Sequence, residues 1–306
     1  MDALLYWLAR TLLGAIQALP LTWVARLGRA GGGLFYYLDA RHRRVARDNL
    51  RRAFPDELSP ARITRLAREN FRRIGENFAC AAKTAAMTQA DLYERLTLPS
   101  RAEMDALTAQ AGQQSCVVAV GHFGNFELYP RVCDGQERFQ SASTYRGLHQ
   151  PGLDRLLQSV REKSGCLFFE RRRDAALLRA ALNQGRLMLG LLADQHAGDH
   201  GLPVPFFGRD CSTSAAPAIL ARRYHCPLYT AICFRTGLAR WRIELGPEIP
   251  TRENDQPRDV IAITRDINHA FEVAVRRDPA NWFWVHRRWK TAGKQLRLKP
   301  PHEPAL

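Results

Sequence analysis

Apolar and polar positions divide the chain into three regimes. The first 38 residues are rich in Leu, Trp and Tyr, and Arg10 and Arg26 bracket the longest uncharged stretch, residues 11–25. A helix of that length rises about 22 Å, short of the roughly 30 Å hydrocarbon core of a bilayer. Pro20 weakens it further. The pattern predicts a membrane-associated helix, either lying in the interface with Trp7 and Trp23 at headgroup level or spanning marginally with both arginines snorkelling. A soluble core helix is the competing reading. Asp2 directly follows Met1 and no cationic start precedes the apolar run, which argues against a cleaved signal peptide. Gly31-Gly32-Gly33 reads as the turn that ends the segment.

Beyond it, Ile63, Leu66, Ala67, Phe71, Ile74 and Phe78 recur every three or four positions behind Ser59-Pro60, which predicts a helix over 59–84. A further helix is expected around 101–111. The texture then changes: short apolar runs at 116–120, 166–169, 187–193 and 228–234 alternate with amphipathic stretches at 125–133, 153–163, 175–182 and 215–223. Such alternation predicts an α/β fold with a central mixed sheet flanked by helices. The economical division is a membrane-associated helical segment over 1–38 and one domain over 39–306. That domain has a basic helical part (39–100) and an α/β catalytic core (101–306).

Composition changes this picture in two respects. An apolar content of 46% across 306 residues supports a substantial core and excludes overall disorder. The net charge of +15 points to polyanionic partners, and it is concentrated. Residues 41–73 carry +7, residues 285–300 carry +6, and residues 74–284 only +2. Two cationic segments flanking a near-neutral middle suit docking onto a charged surface, where each cation near anionic headgroups contributes about 1 kcal/mol. Solvated helix faces are the plainer explanation. The 7 cysteines are odd in number and form no C-x2-C pair, so neither a disulfide framework nor a zinc ribbon is indicated. A reducing, cytosol-facing location fits them best.

The strongest candidate for chemistry is Val117-Val118-Ala119-Val120-Gly121-His122-Phe123-Gly124-Asn125-Phe126-Glu127. A buried strand ends in a glycine-bearing turn that presents a histidine, and a helix follows with a carboxylate near its start. Strand ends are where reactive groups collect in open α/β sheets. On one helix the two side chains would lie about 140° apart, so they can meet only if His122 sits in the turn. Glu127 would then accept from one ring nitrogen and leave the other as a base. No G-x-S-x-G elbow supplies a nucleophile, so the dyad is expected to activate a hydroxyl of the substrate. His149 and Asp154 share the spacing but lack the preceding strand. Asp194 either organises the site or caps a helix.

These residues resemble the lysophospholipid-acyltransferase-like superfamily, and within it the lipid A late acyltransferases that transfer lauroyl and myristoyl chains. The resemblance runs over most of the chain: Asn49-Leu50-Arg51-Arg52-Ala53-Phe54-Pro55, the Gly121 to Glu127 motif, and Tyr145-Arg146 with Arg161 and Gly165. It continues through Asp194-Gln195, Val204-Pro205-Phe206-Phe207-Gly208 with Thr213, and Trp282-Phe283-Trp284-Val285-His286-Arg287-Arg288-Trp289-Lys290. Gly147-Leu148-His149-Gln150 and Ala216 depart from the family pattern.

The resemblance implies a glycerolphosphate-acyltransferase-like fold. It also implies transfer of a fatty acyl chain from acyl carrier protein to a hydroxyl of a lipid A precursor at the cytoplasmic face of the inner membrane. His122 is then the general base and Glu127 its orienting partner. Asn125, Tyr145, Arg146, Arg161, Asp194 and Gln195 become substrate-binding candidates. Acyl-acyl carrier protein serves as co-substrate, with no cofactor. Arg146, Arg161 and the backbone amides after His122 are alternative donors to the oxyanion of the tetrahedral intermediate. The same chemistry on another glycolipid hydroxyl remains an alternative acceptor reading. Two rivals carry less. Asp194, His196, Asp199 and His200 are crowded enough for a metal, but Gly198 and Gly201 deny them a fixed geometry, and no metal is expected. A nucleic-acid binder would explain the charge but not the apolar N-terminus, and no recognition motif is present.

Overall fold

The computed structural model describes residues 2–133 and 138–290. Lys294, Arg297 and Lys299 of the C-terminal basic segment therefore lie outside the described residues. Four helices open the chain: α1 (Asp2–Ala18), α2 (Leu21–Leu38), α3 (Ala40–Ala53) and α4 (Pro60–Thr84). The short α5 (Gln89–Tyr93), strand β1 (Leu96–Thr97) and α6 (Arg101–Ala111) lead into β2 (Cys116–Val120) and a 3-10 helix over Phe126–Cys133. Then come β3 (Gln140–Tyr145), α7 (Pro151–Glu162), β4 (Leu167–Glu170), α8 (Ala175–Gln184) and β5 (Leu187–Leu192). A hairpin of β6 (Leu202–Phe206) and β7 (Arg209–Thr213) precedes α9 (Ala216–Arg223), β8 (Leu228–Gly237) and β9 (Arg240–Leu245). A two-residue-strand hairpin, β10 (Arg252–Glu253) and β11 (Gln256–Pro257), and α10 (Val260–Arg277) complete the order.

Seven strands form one sheet in the order β1-β9-β8-β2-β5-β3-β4. All neighbours run parallel except β8 and β9. The expected mixed α/β architecture is therefore present. Alternation along the central strands builds two cores: Val117, Ala119, Leu189 and Leu191 face a layer with α3, α8, α9 and α10, whereas Cys116, Val118, Val120 and Met188 face the opposite one. Helix α4 begins as its sequence predicts, with the Ser59 hydroxyl accepting from the Arg62 amide and Pro60 in the first turn.

The N-terminus differs from expectation in detail. Pro20 separates two helices instead of weakening one, and the three glycines lie inside α2, not in a turn. The reason is contact distance. A Cβ at Gly32 would strike the Phe71 carbonyl, and one at Gly75 the Gly28 carbonyl, so glycine lets α2 press backbone to backbone on α4. Buried Glu76 reinforces the contact, bonding Arg29 of α2 at 3.0 Å and Arg235 of β8 at 2.9 Å. Among the described residues no helix is long and apolar enough to cross a membrane. Strand β3 and the β6–β7 hairpin had no apolar run to announce them. The stretch after Gly124 is a 3-10 helix because Pro130 lies within it.

Candidate active site

His122 lies in the turn that leaves the carboxyl end of β2. Gly124 adopts φ +51°, and a Cβ there would meet the Cys233 carbonyl; a Cβ at Gly121 would press on the Phe123 ring. These two glycines let the chain reverse tightly enough to hold the imidazole at the strand end. The neighbouring parallel strand β5 ends beside it, and the Ala193 amide donates to the Val120 carbonyl at 3.0 Å, extending the pairing by one residue. Asp194 follows and turns its carboxylate to His122.

That carboxylate is the ring's partner. His122 Nδ1 lies 2.8 Å from Asp194 Oδ1, and Oδ2 accepts from the His122 amide at 2.9 Å and from the Trp282 indole at 2.7 Å. The expected dyad is thereby altered. Glu127 bonds Arg161 at 3.2 Å, and the position assigned to it is taken by Asp194, 72 residues beyond His122. The cause is register: adjacent parallel strands end level, whereas Glu127, in the first turn of the 3-10 helix, pairs with Arg161 of α7. A carboxylate only accepts, so Nδ1 carries the proton and Nε2 keeps a free lone pair. Burial opposes ionisation of Asp194, but the adjoining His122 and the bonds from His122 and Trp282 outweigh it and hold the carboxyl below its ordinary range.

The segment 280–290 closes over this turn. Phe123 bridges to Trp282, and the Gly124 amide donates to the Asn281 carbonyl at 3.1 Å. Asn49 of α3 donates to the Trp284 and His286 carbonyls, and Asn70 of α4 to those of Ala280 and Trp282. Arg288 is wholly buried and donates to Ser212 O at 2.6 Å, Thr213 Oγ1 at 2.7 Å and Gln195 O at 3.3 Å. It fixes the loop after β5 that carries Asp194. Trp282 and Arg288 were visible as motif letters, but their roles were not, because an indole in an aromatic-basic run reads as core.

His286 Nε2 accepts from the His196 amide at 2.7 Å, and burial pushes its pKa down to about 4. A histidine held neutral in the fold contributes stability that is complete above the unfolded pKa near 6.5 and is lost as pH falls towards 4. Thermal denaturation should therefore show Tm falling between pH 6.5 and 4, with a shallower fall for His286→Gln. Equal slopes would remove His286 from the acid lability.

The remaining candidates divide. Glu127, Tyr145 and Arg161 line an apolar cavity of about 80 Å³ beneath β2, β3 and β5, walled by Val118, Val120, Met188 and Leu192. Arg161 lies over the rings of Tyr145 and Phe168, 5.9 and 5.3 Å from their centroids. Asn125 is buried with neither side-chain polar atom bonded among the described residues. Gln195 contributes its carbonyl to Arg288, and Arg146 is exposed at the end of β3. His122 lines a separate, shallow pocket of about 10 Å³ with Asn70, Arg73, Phe126 and Phe283. Among the described residues no three His, Cys, Asp or Glu side chains gather as a metal site; Asp194 is instead engaged by His122 and Trp282.

A carboxylate-held imidazole at the strand ends of a mostly parallel sheet, with an apolar pocket beneath the same strands, is the kind of arrangement found at enzyme sites of α/β proteins. Residues 1–291 match the family model described as bacterial lipid A biosynthesis acyltransferase, and the chain belongs to that family. It is similar to the lipid A biosynthesis palmitoleoyltransferase of Escherichia coli K12, 25% identical over 295 residues that cover 94% of this chain and 92% of the relative. A lipid A biosynthesis acyltransferase of Haemophilus influenzae is 24% identical over 294 residues, 94% of this chain and 90% of the relative. The protein is thus an acyltransferase of lipid A biosynthesis, with a lipid A-type acceptor.

Proposed function

We propose that the protein moves a fatty acyl chain from acyl carrier protein to a hydroxyl of a lipid A precursor, at the cytoplasmic face of the inner membrane. The observation that carries this is the His122–Asp194 pair at the strand ends, with His122 lining a pocket that also holds Asn70 and Arg73, and a separate apolar pocket beneath the same sheet. The acceptor hydroxyl enters the pocket beside His122, whose Nε2 removes its proton as the oxygen attacks the thioester carbonyl. Asp194 fixes the tautomer and stabilises the imidazolium. The acyl chain occupies the cavity, and Glu127 with Arg161 forms part of its lining. Collapse of the tetrahedral intermediate expels the thiolate of the carrier, which takes the proton from His122. A thioester is already activated, so this chemistry calls for no cofactor.

Two surfaces support the partners. Leu4, Trp7, Leu8 and Leu12 of α1 and Trp23, Leu27, Leu34 and Phe35 of α2 are exposed, as expected of helices resting in a membrane interface. Arg41, Arg44, Arg52, Arg287 and Lys290 line a cationic groove of about 510 Å³ suited to an acidic carrier. The test is product formation by the purified protein in detergent from acyl carrier protein bearing a C10 to C16 chain and a tetra-acylated lipid A precursor. Raising salt is expected to increase the apparent KM for the carrier. No product with any chain length would overturn the reading, and a salt-independent KM would remove the electrostatic docking.

A further inference from the structure

A second apolar compartment lies outside the one beneath the sheet. It is a groove of about 490 Å³ between α1, α4, α7 and the 3-10 helix, lined by Leu13, Ala82, Leu128, Leu157 and Val160. Glu127, Pro130, Arg161 and Phe168 line both compartments. The Glu127–Arg161 ion pair therefore stands on the partition between them, in the same motif as His122.

The two compartments differ in what surrounds them. The inner cavity is walled by sheet residues, among them buried Val118, Val120 and Met188. The groove is bordered by α1, where Leu12 next to Leu13 is 63% exposed and Leu8 and Leu4 continue the apolar surface. Leu148, on its edge, is 45% exposed. The same lining carries two guanidinium groups, Arg131 and Arg161, the latter paired with Glu127 at 3.2 Å, which leaves a net single positive charge. An apolar floor, a guanidinium-bearing wall and continuity with an exposed apolar helix face match the chain and anionic headgroup of a lipid that stays partly in a bilayer.

We propose that this groove binds one acyl chain of the anionic acceptor lipid, while the inner cavity takes the chain being transferred. This rests on the acyl-transfer reading, because transfer between two lipid-bearing substrates needs two chain sites meeting at one reactive centre. The Glu127–Arg161 pair separates the two chains and sets the acceptor's headgroup at the level of the imidazole.

The test separates binding from catalysis. The full chain is bound to vesicles of phosphatidylcholine and phosphatidylglycerol in which the phosphatidylglycerol carries a mid-chain diazirine, and is irradiated and mapped by mass spectrometry. Labelling is expected at Leu128, Leu157 and Val160, and is lost in Val160→Trp and, from the opposite wall, in Ala82→Phe, each with an unchanged circular dichroism spectrum. In the transfer assay Val160→Trp should raise KM for the acceptor about tenfold, the worth of one or two displaced methylenes. Labelling confined to the outer faces of α1 and α2, or to Val118 and Met188, would overturn the proposal. So would groove labelling that persists in both folded variants, or cross-links to a second copy of the chain instead of lipid. Groove labelling without any acyl transfer would retain the lipid site and reject the reaction.

Discussion

Replacing Asp194 with asparagine is expected to lower kcat/KM for acyl transfer by about three to four orders of magnitude while the fold persists. The geometry gives the reason. The amide oxygen can keep the bonds from the His122 amide and the Trp282 indole, both of which meet Oδ2. Its NH2 group then faces His122 Nδ1, where Oδ1 stood. Two donors cannot share that contact, so the ring moves its proton to Nε2 and loses the lone pair that must accept from the acceptor hydroxyl. Binding of both substrates should change little, and the loss should appear in kcat. Initial rates at saturating acceptor, with Tm as a control on folding, check this; a fall of less than about tenfold would mean that Asp194 does not set the tautomer.

His122→Ala should be at least as severe, with transfer reduced by about four orders of magnitude, since general-base assistance and its positioning disappear together. The ring packs against Phe126 and Phe283, with centroids 4.7 and 5.8 Å away, so its removal leaves an aromatic-lined space and the sheet intact. Affinity for the acyl donor should survive, because the cavity wall does not include His122. Glu127→Gln provides the contrast. Its carboxylate engages Arg161 in the cavity lining, so a smaller loss, seen mainly as a raised KM for the acyl donor, is expected. Undiminished product with His122→Ala would end the general-base account.

Much of this was legible from the residues. The strands at 116–120, 187–193 and 228–234 were predicted by their apolar runs, because strands buried on both faces lose their polar alternation. Glycines at 121 and 124 announced a tight turn, and the turn is there. What spacing could not supply was the partner of His122. Glu127 is near in sequence, but Asp194 is near in space, through the level ends of β2 and β5, and that neighbourhood exists only once the sheet order is known. The glycines at 31–33 were misread for a related reason: Gly32, which permits close packing of α2 on α4, looks, from sequence, like a glycine that breaks a helix. β3, with the sequence QSASTY, escaped notice because its pairing is set by β5 and β4 and not by an apolar run of its own.

The central claim is that His122 and Asp194 act as one unit on the acceptor hydroxyl, and kcat/KM for transfer by the wild type, His122→Ala, Asp194→Asn and the double variant tests it most directly. The account predicts that the double variant is no slower than His122→Ala alone, because a carboxylate that acts only through the imidazole has nothing left to orient. Losses that multiply would contradict it, since Asp194 would then contribute to the reaction independently of His122.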